Sequence, residues 1–310
     1  MKLVAAAIGL PLKRHLASGP RHGRVHSVFR RSVNIICDDA TWLSVHPAAV
    51  GMHPYAVRLE SVGPNLSGYA GVGEVLLGAS CREPVTAGPE NIRFDRRSIS
   101  IDLSNARAWD ARVRPSDRGL DAGLVITQLR DLMRGRPVVS PFLKASLGVN
   151  GHRGDAWTAA LNGLAAGIVR RVRGGLREGS VRDLRAGLAA AVGLGGGLTP
   201  SGDDFLTGLL GGLYCLGGRE ALREAVRAAV GPLLGRTSLE SARMVEAAGR
   251  GLFPEALGDL LVSLGRGPAA RRGKALEKLI RTGSGSGEDM LAGVLTCLEY
   301  IAGSNWYATH

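Results

Sequence analysis

Residues 193–212 read GLGGGLTPSGDDFLTGLLGG. The first half is a loop. Gly195, Gly196 and Gly197, followed by Thr199 and Pro200, are turn formers and not the interior of a helix or strand. The second half is a helix start. Ser201 is an N-cap residue whose hydroxyl accepts from an early backbone N–H, and Asp204 three positions on completes a capping-box-like pair. Asp203 and Asp204 also gain from the positive end of the helix dipole. An apolar helix over Asp204–Leu216 follows.

Familiar ligand loops do not fit. Gly197 and Gly202 have P-loop spacing, but Asp203 stands where the lysine belongs. The dinucleotide fingerprint breaks at Pro200, with no evident strand ahead of it. An isoprenoid-synthase-like aspartate motif needs a third aspartate at helical spacing, and Thr207 stands there. Capping alone explains the two aspartates. It leaves the glycines and the Thr-Pro pair unexplained.

A second copy changes the weight of the first. Thr282–Leu295 reads TGSGSGEDMLAGVL. With Ser201 aligned on Ser286, serine, glycine, aspartate, leucine and glycine recur in register. Each copy follows a loop of small residues and opens an apolar helix with Gly208 or Gly293 one turn in. The expected geometry is two crossed or antiparallel helices, close at those glycines, with both N-termini facing one pocket. Such a pocket offers backbone N–H groups to phosphate or carboxylate oxygens. Its predicted substrate-binding set is Gly195, Gly196, Gly197, Thr199, Ser201, Gly202, Thr282, Ser284, Ser286, Gly287 and Asp289. Thr237 and Ser238, at another helix start, join it.

The carboxylates complicate an anion site. Asp203 or Glu288 beside a phosphate repels it unless Mg²⁺, an arginine or an N–H group of the substrate intervenes. A substrate with an anionic end and an N–H end uses the whole site. The catalytic candidates are Asp203, Asp204 and Glu288, which can orient or deprotonate an attacking nitrogen while helix N–H groups hold the leaving group. These residues specify no cofactor with certainty; Mg²⁺ on Asp203 and Glu288 is an option.

Outward from the motifs, the chain has two textures. After residue 115 the apolar period is helical, over Leu120–Met133, Ala156–Val172, Val181–Val192, Glu220–Leu234, Ser238–Gly249, Phe253–Leu264, Lys274–Arg281 and Asp289–Ala302. Before it, short β-branched runs alternate with turns in GRVHSVFRRSVNIIC, TWLSVHP, YAVRLESV and RSISIDLSN. The glycine-rich GPNLSGYAGVGEVLLGASC (63–81) has no clear period. The expected class is α+β: an N-terminal antiparallel β sheet or small barrel over 1–115, then a larger all-helical domain over 116–310.

Composition bounds the partners. The chain has 310 residues and a formal charge of +12, but only five of its 39 basic residues are lysine and its arginines are dispersed. Without interleaved aromatics this is a solvated surface and not a nucleic-acid groove. Cys37, Cys81, Cys215 and Cys297 show no Cys-x-x-Cys spacing, which fits a reducing compartment. The apolar run Leu3–Leu10 is short for a signal peptide and lacks a clean cleavage site. No stretch reaches a membrane span. A cytoplasmic protein with no nucleic-acid or membrane partner is expected.

GLGGGLTPSGDDFLTGLL resembles the glycine-rich signature of a bacterial family, the AllH-type subunits of oxamate carbamoyltransferase in anaerobic allantoin breakdown. GRVHSVFRRSVNI, RTSLESARMVEAAGRGLFPEAL and SGEDMLAG resemble further blocks of the family, from about Gly23 to Gly303. The resemblance implies carbamoyl transfer in purine degradation: oxalurate and phosphate interconverting with oxamate and carbamoyl phosphate. It implies partners, either other subunits of a carbamoyltransferase complex or copies of the chain itself. The other readings are a non-catalytic metabolite-binding or assembly subunit and a metal-dependent hydrolase.

Overall fold

The computed structural model describes residues 1–60, 81–96, 98–114, 120–149, 155–215, 219–265 and 268–303. The glycine-rich stretch up to residue 80, the boundary at 115 and the helix end at Leu216 lie outside the described residues. The chain divides into two compact units, Met1–Ala111 and Arg112–His310.

The first unit holds β1 (Lys2–Gly9), α1 (Leu10–Leu16), β2 (Arg21–Phe29), β3 (Ser32–Cys37), β4 (Trp42–His46), β5 (Ala56–Leu59), β6 (Pro84–Ala87), β7 (Asn91–Phe94), β8 (Ile99–Asp102) and β9 (Arg107–Trp109). The strands run in the order β5-β4-β3-β2-β6-β7-β8-β1, and a β1–β5 pairing closes the ring. Of the two expected forms, the small barrel is the one realised. Most neighbours are antiparallel, as expected, but β1–β8, β1–β9 and β4–β5 are parallel. Alternation fills the interior: Val33 and Ile35 of β3, Leu43 and Val45 of β4, and Ile92 and Phe94 of β7 are buried in one cluster. The apolar run at the N-terminus is β1 itself, with a register shift between Ala5 and Ala7 where it meets β5. Pro11 then helps to open α1. A proline is tolerated in a helix's first turn because that N–H has no helical acceptor.

The second unit is helical: α2 (Ala122–Met133), α3 (Pro141–Leu147), α4 (Ala156–Glu178), α5 (Val181–Ala191), α6 (Ser201–Cys215), α7 (Glu220–Val230), a 3₁₀ turn (Gly231–Arg236), α8 (Leu239–Gly249), α9 (Glu255–Leu264), α10 (Ala269–Ile280) and α11 (Ser286–Gly303). The predicted Glu220–Leu234 helix breaks at Gly231-Pro232, because proline clashes with the preceding turn. The expected helix over Ala156–Val172 runs further, to Glu178, and stops at Gly179 in a left-handed cap with φ +67°. α3 has no counterpart among the expected helices.

α6 and α11 form the centre of this unit. Phe205, Leu206, Leu209, Leu210 and Leu213 of α6 and Leu291, Val294, Leu295 and Leu298 of α11 are buried in one core. A helix that is apolar on all sides belongs in the middle of a bundle. Their contacts advance together along both chains: a Cβ on Gly208 meets the Met290 backbone, and one on Gly212 stands 2.7 Å from the Cys297 Cβ. The pair is therefore parallel and in register, not antiparallel.

Candidate functional site

Parallel packing brings the two Ser-Gly-acid-Asp starts to the same end. The Thr199 and Ser286 hydroxyls stand 3.1 Å apart, one from each motif. The aspartates are exchanged between the motifs. Asp204 of the first takes hydrogen bonds from Ser286 and Thr199. Asp289 of the second takes them from Ser201, Ser140 and the Phe142 backbone. The two motifs thus complete each other's hydrogen bonding.

Local sequence makes this approach possible. A Cβ on Gly202 would overlap the Ala191 carbonyl, and one on Gly287 the Leu279 carbonyl. Each motif glycine lets its helix start press against the end of an earlier helix. Gly195 at φ +118° and Gly283 at φ +62° turn each lead-in loop back over its serine, a backbone region costly for other residues. Gly196, Gly197 and Ser284 lie exposed on the two loops, while Thr199, Ser201 and Ser286 are half-buried between them.

The four carboxylates divide into two kinds. Asp203 Oδ1 accepts from the Gly193 N–H at 3.0 Å, and its Oδ2 from the Thr237 hydroxyl. Glu288 Oε2 accepts from the N–H groups of Val139 and Ser140 at 2.8 and 2.7 Å. These two tie loops and helix entries together. Asp204 and Asp289 lie beneath the hydroxyls, 5% and 2% exposed. Burial pushes the Asp289 carboxyl up to about 7. Burial, with the charge of Asp289 adding to it, pushes Asp204 well above the ordinary carboxylate range. Asp204 Oδ2 is buried without a hydrogen-bond partner. Burial also raises Asp203, against hydrogen bonds from Thr237, Gly193 and Ser241 that lower it. The repulsion expected between these groups and an anion is removed wherever they carry a proton.

The remaining sequence candidates are spread around this centre. Thr237 joins it through Asp203. Ser238 caps α8 by accepting from the Ser241 N–H and donates to the Leu198 carbonyl at 2.6 Å, anchoring the glycine loop. The Thr282 hydroxyl turns away to the Lys278 carbonyl. Asp203 and Glu288, the Mg²⁺ candidates, serve different neighbours. Among the described residues no group of three or more His, Cys, Asp or Glu side chains is placed to hold a metal ion. One site residue went unrecognised in the sequence. Ser140 donates to Asp289 Oδ1 and caps α3 through the Leu143 N–H at 2.8 Å. Its signal was Ser140-Pro141, an N-cap followed by a first-turn proline.

Two family models match the chain. One, described as oxamate carbamoyltransferase subunit AllH, spans residues 191–298; the other, the AllH family N-terminal domain, spans residues 4–108. Together they cover the barrel and the helices that carry both motifs. No curated protein and no solved structure matches. Among the described residues no helix is long and apolar enough to cross a membrane.

Proposed function

From a chain that belongs to the AllH family, we propose a carbamoyltransferase subunit that binds its small anionic substrate over the paired starts of α6 and α11. The observation that carries this reading is the Thr199–Ser286 contact with the buried Asp204 carboxyl beneath it. Two parallel helix N-termini supply their positive dipole ends, while the N–H groups of Gly202, Asp203, Asp204, Gly287 and Asp289 are bonded to carbonyls of their own lead-ins. The half-buried hydroxyls of Thr199, Ser201 and Ser286 are the groups that touch substrate. Asp204 and Asp289 act through them.

In the transfer, a phosphate oxygen attacks the carbamoyl carbon of oxalurate and the bond to the oxamate nitrogen breaks. That nitrogen needs a proton as it leaves. The Ser286 hydroxyl supplies it and is refilled from the Asp204 carboxyl, which recovers its proton from the attacking phosphate. A carboxyl that burial makes hold its proton more tightly than usual suits this relay. In the reverse direction the same groups take the proton from oxamate as it attacks carbamoyl phosphate.

The exposed loops at Gly196–Gly197 and Gly283–Ser284 form the rim against which another subunit closes. This division of labour is supported by the family description, a subunit and not a whole enzyme. We place the complex in the cytoplasm, which the buried thiol of Cys37 favours. The test is calorimetric titration of the full chain with carbamoyl phosphate and with oxamate. The wild type binds at least one of them, and Ser286→Ala weakens that binding at least tenfold. Equal affinity in the two proteins rules out the paired starts as the site.

A further inference from the structure

We propose that α4 and α11 enclose a second site, for a small oxyanion of the phosphate or carboxylate type, separate from the paired helix starts. A cavity of about 150 Å³ lies there, lined by Arg173, Arg177, Thr296, Glu299, Tyr300 and Gly303. Thr296 is fully buried, and its Oγ1 has no hydrogen-bond partner. A buried hydroxyl left in that state is costly unless a ligand satisfies it.

The charges around the cavity point to an anion. Glu299 answers two guanidiniums at once: Arg173 Nε at 2.6 Å on one carboxylate oxygen and Arg130 Nη2 at 2.8 Å on the other. Arg173 Nη2 donates to the Ser146 carbonyl at 3.1 Å. A guanidinium has five N–H groups; Arg173 Nε, ion-paired with Glu299, is buried without a hydrogen-bond partner, so Arg173 keeps donors beyond its bond to Ser146. Arg177 adds a third positive charge at the rim. Its pair with Glu178 is 74% and 61% exposed, the kind of contact that yields readily to a better partner. The Tyr300 ring, with the Arg219 guanidinium 4.7 Å from its centroid, supplies a rigid wall. An oxyanion accepting from Arg173, Arg177 and Thr296 satisfies all three.

The site is distinct from the paired starts but linked to them. Thr296 and Ser286 both lie on α11, ten residues apart, which is ~15 Å at the helical rise per residue. An occupant therefore contacts neither motif, yet it braces the helix that carries one of them.

The test uses the full chain with inorganic phosphate and malonate as separate probes, read by calorimetry. Thr296→Val keeps the shape and removes the hydroxyl; Arg177→Gln removes an exposed charge. Phosphate is also a substrate at the paired starts, so both changes are made in a Ser286→Ala background, where each is expected to weaken the remaining binding at least fivefold. Thr296→Val should also melt higher than the wild type without ligand, since it deletes an unsatisfied buried hydroxyl. A response to phosphate alone assigns a phosphoryl ligand, and a response to malonate alone a carboxylate. Binding of neither probe, binding indifferent to both substitutions, or binding abolished by Ser286→Ala overturns the proposal.

Discussion

Gly293 packs directly on the backbone of Gly208: a methyl group at 293 would stand 2.8 Å from the Gly208 carbonyl carbon and would overlap the Phe205 carbonyl oxygen. The reciprocal contact, Gly208 on the Met290 carbonyl, is equally tight. Alanine ordinarily favours a helix over glycine by about 1 kcal/mol. Here the overlap with backbone decides the sign, because neither helix can move without opening the core. Gly293→Ala should lose about 3 kcal/mol in urea unfolding. Gly196→Ala, where a new Cβ meets nothing within 4 Å, should stay within about 0.5 kcal/mol of the wild type. Equal stability of the two variants would refute the close crossing.

Glu288 is read as a structural tie and not as a chemical group. Its Oε2 satisfies two backbone N–H groups at the entry to α3. Glu288→Ala leaves both unpaired and should lower stability by about 2–4 kcal/mol. Glu288→Gln keeps an acceptor oxygen and should recover most of that loss. Substrate affinity of the folded Gln variant should match the wild type. A large loss of affinity with unchanged stability would return Glu288 to the chemistry.

The Asp289 carboxyl, raised from 3.8 to about 7 by burial, gives a pH dependence of definite sign. Between about pH 4 and 7 the folded protein holds a proton there that the unfolded chain has released. Its contribution to stability therefore falls as pH rises through that window, by up to about 1.4 kcal/mol per unit, and levels off above it. His53, whose buried ring is held neutral well below its usual range, slopes the other way below about pH 6.5. Comparing the wild type with Asp289→Asn cancels His53. Urea midpoints from pH 5 to 8 should show the variant gaining on the wild type as pH rises. A constant difference would place the Asp289 pKa in the ordinary range.

Much of the architecture was legible in the sequence because it is written in periodicity. Val33-Asn34-Ile35 and Ile99-Ser100-Ile101 alternate, and the helices after residue 120 keep their apolar stripe. The short strands β6 and β7, four residues each and separated by Gly88-Pro89-Glu90, are too brief to show a period. The parallel pairing of β1 with β8 depends on chain closure, which no local pattern records. At the site, the repeat of Ser-Gly-acid-Asp exposed the paired starts. Which carboxylate ties the loops and which is pushed furthest up by burial was not readable, because Asp203 and Asp204 are adjacent and alike. The difference lies in the neighbours that folding brings: Gly193 and Thr237 on one side, Ser286 and Asp289 on the other.

The central claim, one site shared by two helix starts, is tested most directly by a double-mutant cycle on carbamoyl phosphate affinity with Thr199→Val and Ser286→Ala. A shared site predicts that each single change weakens binding about tenfold and that the double mutant loses little more than either, a coupling of about 1 kcal/mol. Strictly additive losses, or loss from only one of the two, would mean that the starts meet in the fold without forming a common site.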